Sequence, residues 1–220
     1  MECWSASARI WLGVWLKKKT GWAILNPLLV AIIVVIAFLS VFHIEYKEYN
    51  RGAVYLGYFL TPATVCLAIP LYKQLELLRQ HLIAVASAIV AGVAGSVGSI
   101  YVMCRFFQLE HTHYVTLLPK SITTAIGMGV SEEAGGIVTL TVISIIITGI
   151  LGNIIADWLF QIFKIEEPIA KGLALGTAAH AIGTAKALEL GEIEGAMSSL
   201  SIAVAGLFDR SGSTLMSGLI

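Results

Sequence analysis

Two short polar stretches in an otherwise apolar chain carry the residue types that could bind an anion. The first, Leu118–Glu133, reads LPKSITTAIGMGVSEE and lies between two long apolar runs. The second, Thr177–Glu189, reads TAAHAIGTAKALE. An ionisable side chain inside a membrane-embedded segment is costly unless it has a partner, which makes it a candidate functional residue. Both stretches therefore resemble sites more than lipid-facing walls.

The first stretch predicts an anion site. Pro119 favours a helix that starts there, because its missing N–H has no partner in a first turn, and the free N–H groups would converge near Lys120. One positive charge, hydroxyl donors and a helix N-terminus are suited to binding an anion. The candidate binding residues here are Lys120, Ser121, Thr123 and Thr124. The alternative is that Pro119 and Lys120 lie at the headgroup level, with Lys120 reaching water.

The second stretch predicts a titratable partner. His180 and Thr184 are four positions apart and share one helix face, while Gly183 lets a ligand or another backbone approach. A histidine hydrogen-bonds a carboxylate and titrates near neutral pH, which suits a proton-coupled carrier. The candidate binding residues here are His180, Gly183, Thr184 and Lys186. The alternative is a hydrogen-bonded packing histidine within a helix bundle.

An internal repeat relates the two stretches. At an offset of sixty, Ser121–Gly135 and Ala181–Gly195 match at five of fifteen positions, and Lys120 falls opposite His180. Repeats with interrupted helices at corresponding positions point to a transporter's binding site. We therefore hypothesise that both stretches face one small carboxylate anion, with Lys120 supplying the charge and His180 titrating.

Composition places the chain in lipid. Of 220 residues, 57% are hydrophobic and 13% are charged, and the mean hydropathy is +0.85, which predicts a polytopic membrane protein surrounded by the lipid bilayer. Fourteen basic and fourteen acidic residues argue against a nucleic-acid partner. The three cysteines show no CxxC spacing, so no disulfide framework or metal site is expected. The lack of an HExxH motif and of an acidic pair inside a span argues against an enzyme, and no cofactor is expected.

The predicted fold class is all-α, a polytopic membrane helical bundle of about seven segments with an internal repeat and discontinuous helices. Besides the two polar stretches, the predicted apolar segments are a short first helix at Ile10–Leu16, spans at Asn26–His43, Gly52–Tyr72, Leu82–Phe107 and Ile137–Phe163, and a short final run at Ala196–Phe208. Loops are expected at His43–Arg51 and Lys73–His81. The polar tail, Asp209–Ile220, is expected to be mobile.

A helix break is also predicted at Thr61 and Pro62, in the middle of a span, because threonine followed by proline is a helix-start signature. The alternative is a simple proline kink. With Pro119, these residues form the predicted set of helix breaks. Lys17–Lys19, Lys73 and Arg79 are assigned to the cytoplasmic side. Past residue 110 the sides stay open, because the Pro119 stretch either crosses the membrane or folds back. Whether this stretch crosses the membrane decides whether the two repeats are parallel or inverted.

Several motifs in order resemble the LrgB/CidB family of bacterial membrane proteins. They are Leu25–Leu29, Thr61–Tyr72, Leu118–Glu132, Gly135-Gly136, Thr148–Gly152, Ile169–Glu189 and Gly195–Leu200. The resemblance covers about residues 15–205 and implies one membrane domain over residues 1–220 with atypical ends. The chain departs from the family pattern in its short first helix and in Asp209–Ser213, where the family has a full apolar span.

The resemblance implies a multi-pass protein of the bacterial inner (cytoplasmic) membrane that works with a smaller LrgA/CidA-type membrane partner and forms a homo-oligomer. Two functions follow from it. One is a carrier of small monocarboxylates of the pyruvate, glycolate and glycerate class; the other is a holin-like pore or regulator of murein hydrolase export and cell lysis. A pore needs a polar stripe along a span, whereas the polar residues here form two short patches, so the carrier is the favoured hypothesis.

Overall fold

The computed structural model describes residues 27–58, 62, 65, 66 and 68–216. All the regular secondary structure in these ranges is helical, which confirms the predicted all-α class. The chain forms two compact units, residues 1–66 and 67–220. The predicted first helix, Thr61 and the last four residues lie outside the described ranges. Pro62 is helical and exposed, and the predicted break at Thr61 and Pro62 stays a prediction.

The first unit contains helix α1, Pro27–Val41, and helix α2, Tyr46–Gly57. Helix α1 lies inside the segment predicted as a span, Asn26–His43, but its described 15 residues are too short to confirm a crossing. Helix α2 shows that the predicted loop at His43–Arg51 is wrong, since most of that mixed-charge segment is helical. Its first turn carries Glu48, which is favourable next to the positive end of the helix dipole.

The second unit contains eight further described helices. They are α3, Ala68–Lys73; α4, Leu75–Gln80; α5, Leu82–Phe106; α6, His111–Leu117; α7, Thr124–Glu133; α8, Val138–Ile162; α9, Pro168–Leu190; and α10, Glu192–Met216. Helix α4 corrects the predicted loop at Lys73–His81. Helix α10 corrects the expectation of a mobile tail after Phe208, because the helix continues through Met216. No proline interrupts this segment, so the i→i−4 bonds continue through its polar residues.

Helices α5 and α8 are long and apolar enough to cross a membrane, by length and composition. Their bounds agree within one residue with the predicted spans at Leu82–Phe107 and Ile137–Phe163. Within the described residues only these two helices meet that test, so the expectation of about seven crossing segments is not confirmed.

Helix α9 is a hairpin of two arms that reverses at His180. The backbone of His180 has φ 39° and ψ −131°, which no helix accommodates. A Cβ atom placed on Gly183 would collide with the carbonyl oxygen of Leu175. Lys171 and Leu190 line the same surface cavity, although in a straight helix these two residues, nineteen positions apart, would be separated by about 28 Å. The first arm, residues 168–179, and the second arm, residues 181–190, therefore lie side by side.

Helices α6 and α7 form a similar hairpin around the turn at residues 118–123. The backbone N–H of Ile137, beyond the end of α7, donates to Thr116 Oγ1 in α6 at 2.8 Å. A Cβ atom on Gly127 would lie 3.4 Å from the carbonyl oxygen of Pro119. The chain thus folds back after Pro119 instead of continuing in one direction. We refer to residues 111–133 as the first hairpin and to residues 168–190 as the second hairpin.

Three helices end in the same way. Helices α1, α5 and α8 are each followed by phenylalanine, a residue with positive φ, an apolar residue and glutamate, at residues 42–45, 107–110 and 163–166. The second residue has φ between 48° and 52° in all three copies. The third residue donates its N–H to a carbonyl five positions earlier, at 2.8 to 3.1 Å, as in a Schellman cap. In the second unit the cap ends both long helices, α5 and α8, and so marks corresponding positions in the two.

The second unit therefore holds two copies of one pattern: a 25-residue helix, a short link and a 23-residue hairpin. The two long helices run in opposite directions. The first half of α5 packs beside the first arm of the second hairpin, where Gly92 meets Thr177. The second half of α8 packs beside the same arm, where Phe160 and Leu175 share an apolar cluster. The two copies are inverted with respect to each other.

The hairpin geometry predicts the effect of a methyl group at Gly183. Gly183→Ala should lower the unfolding free energy by about 1–3 kcal/mol, because the added Cβ meets backbone that cannot move aside cheaply. Gly98→Ala on α5 is the matched control, since a Cβ there meets nothing within 4 Å. Thermal unfolding of both variants in detergent measures the difference. A straight α9 would make the two substitutions equivalent.

Candidate functional site

The turns of the two hairpins meet at the middle of helix α8. The ring Nε2 of His180 lies 3.1 Å from the carbonyl oxygen of Ile145, so this nitrogen carries the proton and donates it. The Ile145 side chain reaches Gly127 of the first hairpin. A Cβ atom on Gly149 would lie 3.0 Å from the His180 ring. Both turns therefore converge on one stretch of α8.

A cavity of about 690 Å³ lies next to this convergence. It is walled by α5, by the turn of the first hairpin, by α8 and by the first arm of the second hairpin. Its polar lining residues are Ser96, Ser99, Lys120, Ser121, Thr148 and Thr177. Small and aliphatic residues supply the other walls. Among the described residues that line the cavity, Lys120 carries the charge.

Lys120 and Ser121 form a polar group at the cavity wall. Ser121 is 4% exposed, and its Oγ accepts from Ser96 Oγ at 2.7 Å and from Lys120 Nζ at 3.3 Å. The ammonium group and the two hydroxyls thus lie within one hydrogen-bond chain that joins α5 to the first hairpin. This arrangement can present N–H and O–H donors to an anion in the cavity.

The helix start predicted at Pro119 is wrong. Pro119 lies in the turn, and the backbone N–H groups of Lys120 and Ile122 donate to Leu117 and Pro119 within it. Helix α7 begins at Thr124, after an extended Thr123 with φ −66° and ψ 147°. The residues around Pro119 form the turn that reverses the chain, so they cannot also form the first turn of a helix.

The eight predicted binding residues occupy different places. Lys120 and Ser121 line the cavity, and Thr123 and Thr124, at the start of α7, are outside its lining. His180, Gly183 and Thr184 are buried in the second hairpin and are outside the lining too. Thr184 Oγ1 bonds to the His180 carbonyl at 3.1 Å and lies 2.8 Å from Ser198 Oγ. These three residues therefore shape the second hairpin. The part of the second hairpin that lines the cavity is its first arm.

Lys186, the eighth, pairs with Asp157 of α8 at 2.7 Å. The Lys186 side chain is 12% exposed and the Asp157 side chain 45% exposed, so water reaches the pair from the carboxylate side. The pair ties the second arm of the second hairpin to α8.

Four polar residues of the cavity were missed from the sequence. Ser96 and Ser99 come from α5, Thr148 from α8 and Thr177 from the first arm of α9. Glycine and serine spaced three and four apart allow close backbone approach, so the pattern around Ser96 favours helix packing over a binding site. The available signal was that Gly92, Gly95, Ser96 and Ser99 share one helix face. Within the described ranges, no group of three or more His, Cys, Asp or Glu could hold a metal ion.

Comparison with known proteins agrees with the motifs. The model of the LrgB-like family matches residues 9–217. The chain belongs to the LrgB-like family. An antiholin-like protein LrgB of Bacillus mycoides is 39% identical over 191 residues, which are 87% of this chain and 83% of the relative. An antiholin-like protein LrgB of Bacillus subtilis is 38% identical over 197 residues, 89% of this chain and 85% of the relative. No solved structure matches the chain.

Membership of the LrgB-like family confirms the resemblance read from the motifs. It also identifies a membrane protein that is not an enzyme. The matched region includes both hairpins and both long helices, so the cavity lies entirely within LrgB-like sequence.

The contact between Thr184 and Ser198 predicts coupled stability in this LrgB-like chain. Thr184→Val keeps the side-chain shape but leaves the buried Ser198 hydroxyl without this partner, which should cost about 1–3 kcal/mol. Ser198→Ala should cost a similar amount, and the double variant less than the sum. Thermal unfolding of the three variants gives the coupling energy. Strict additivity would show that the two hydroxyls do not depend on each other.

Proposed function

We propose that this chain is an antiholin-like regulator of murein hydrolase activity and cell lysis, acting as a multi-pass protein of the bacterial inner membrane. The observation that supports this is its 39% identity, over 87% of its length, to a relative named antiholin-like protein LrgB. The proposal includes a small LrgA/CidA-type membrane protein as partner and a homo-oligomeric assembly. The exposed apolar residues on α5 and α8 offer surfaces for such helix contacts.

Detergent-induced autolysis of a host that lacks its own LrgB-type protein tests this regulator. Expression of the chain together with its small partner should slow lysis and weaken murein hydrolase bands in zymograms. The partner alone and the empty vector are the controls. Unchanged lysis at matched membrane amounts would contradict the regulator.

A second candidate function is favoured by the cavity: a carrier of small monocarboxylates of the pyruvate, glycolate and glycerate class. The cavity lies where two hairpin turns meet, and Lys120 presents its charge there beside Ser121. Transporters place their substrates at such interruptions, where backbone and polar side chains line a cavity inside the membrane. Lys120 can donate a charge-assisted hydrogen bond to a carboxylate in this largely apolar cavity.

In this carrier Lys120 would hold the carboxylate, with Ser121 as a hydroxyl donor and Ser96, Thr148 and Thr177 facing the rest of the ligand. His180 would act through the hairpin turn, because its ring bonds to the Ile145 carbonyl. Gly183 and Thr184 would support the same turn from the second arm. Thr123 and Thr124 would support Lys120 from the start of α7.

Lys120→Ala tests the carrier. The substitution removes a charge-assisted hydrogen bond worth roughly 1.5–3 kcal/mol and should weaken substrate affinity by about one to two orders of magnitude. Lys164→Ala, an exposed lysine in the link after α8, is the matched control and should leave affinity unchanged. The measurement is counterflow of labelled pyruvate or glycolate in proteoliposomes, with and without the small partner.

Wild-type affinity in Lys120→Ala would remove the carrier from consideration. Absent counterflow in the wild-type chain, together with slowed autolysis, would leave the regulator as the function. The two proposals thus fail separately.

A further inference from the structure

We propose that the two hairpins are gates that open the cavity to opposite faces of the membrane, and that the ion pair between Asp157 and Lys186 latches the second gate. This inference rests on the carrier candidate for its purpose, but its geometry comes from the hairpins alone. In this arrangement the Pro119 stretch folds back instead of crossing the membrane, so the two repeats are inverted.

Each hairpin follows one of the two long helices. The first hairpin starts after the end of α5 and leads to the start of α8, while the second starts after the end of α8 and leads to the start of α10. Each hairpin folds back, so its two ends lie at one level and its turn at another. Since both turns meet at the middle of α8, the open ends of the hairpins lie towards opposite ends of α8.

Membrane sidedness follows from this arrangement. Helix α8 is 25 residues long, about 37 Å, which is sufficient to cross the hydrocarbon core of about 30 Å. The link at residues 107–110 then lies at one face, and the link at residues 163–167 lies at the other. Each hairpin enters from its own face and returns to it.

The cavity lies between the hairpins. The turn of the first hairpin supplies Lys120 and Ser121, and the first arm of the second hairpin supplies residues from Ala170 to Ala178. Helices α5 and α8 supply the other walls. The cavity is partly open in this structure, and outward movement of either hairpin would widen access to it from that hairpin's face. Inverted repeats around a central site are the usual basis of alternating access.

The contacts of the two hairpins with α8 differ in kind. Thr141 Oγ1 of α8 donates to the carbonyl of Thr116 at 2.9 Å and lies 2.7 Å from Ser131 Oγ, and all three residues are at most 2% exposed. These buried bonds hold the first hairpin. The second hairpin has the buried bond between His180 and Ile145 near its turn, but towards its open end it is held by the ion pair between Asp157 and Lys186, and Asp157 is partly in water.

Three contacts of the second hairpin follow one face of α8. The His180 ring meets the Ile145 carbonyl, the Asn153 side chain donates to the Ile182 carbonyl at 3.2 Å, and Asp157 accepts from Lys186. Ile145, Asn153 and Asp157 are separated by multiples of four, so they lie along one stripe. The ion pair is the contact of this stripe that lies nearest the open end of the second hairpin. Water can solvate the separated charges there, so the ion pair should break before the other two contacts.

Sidedness is tested with single cysteines in a chain from which the three native cysteines have been removed. Glu110→Cys and Glu166→Cys place an exposed thiol in each link. A membrane-impermeant thiol reagent should label the two positions from opposite faces of right-side-out and inverted vesicles. Labelling of both from the same face would overturn the two-gate arrangement.

The latch is tested with Thr148→Cys, a reporter in the cavity wall on α8. Adding Asp157→Asn should raise its labelling rate by about two- to five-fold from the Glu166 face, the change expected for a partly exposed ion pair, and leave the Glu110 face unchanged. Glu167→Gln is the matched control, because Glu167 is an exposed carboxylate in the link at residues 163–167. Equal rates with and without Asp157→Asn, or faster labelling from both faces, would overturn the latch.

Two further variants guard against a folding defect. The exchange Asp157→Lys with Lys186→Asp should return the labelling rate towards that of the parent. Asp157→Cys with Lys186→Cys, joined by a short bifunctional thiol reagent, should slow labelling from the Glu166 face. Failure of both would also overturn the latch. Labelling needs no substrate, so absent carboxylate counterflow beside sided labelling would reject the carrier and retain the gates.

Discussion

Backbone polar groups at a chain reversal must find partners when no water is present, and this constraint organises the second unit of the protein. In the hydrocarbon core an unsatisfied N–H or C=O costs several kcal/mol, so a broken helix persists only where neighbouring groups cover it. Helix α8 supplies much of this cover. Its residues Thr141, Ile145 and Asn153 bond to one hairpin or the other. The position of both turns, and hence of the cavity, depends on this single helix.

Close packing is the second requirement of the hairpins. Gly172 and Gly176 of the second hairpin approach the backbone of α10 so closely that a Cβ on either would meet main-chain atoms. The approach brings the Ser198 hydroxyl of α10 to Thr184. Without water, small residues and interhelical hydroxyl bonds provide association that the hydrophobic effect cannot supply between helices in lipid. The same glycines that weaken a helix in water therefore position its polar groups here.

Hydropathy predicts the long helices and fails at the hairpins, for a physical reason. Helices α5 and α8 follow from uninterrupted apolar runs, and their predicted ends agree within one residue. An interruption of the second stretch is predicted from the repeat and is confirmed at His180, but the residue that makes the reversal is not predicted, because positive φ at a histidine leaves no pattern in the sequence. Helix α2 was missed because mixed charge resembles a loop, and the helix start expected at Pro119 was misplaced. Local patterns report burial well; they do not report which way the chain turns.

The alignment of Lys120 with His180 paired two residues of the hairpin turns that have unequal roles. Both residues lie at the turn of a hairpin, as expected from an inverted repeat, yet the Lys120 side chain lines the cavity while the His180 ring bonds to α8. A repeat can keep its backbone geometry while each copy changes its side chains, because the turn needs only covered backbone groups. The positive charge at the cavity therefore comes from one hairpin alone. A ligand held there would bind to the first hairpin, and the second would cover it, so the two gates are related by geometry but differ in what they do.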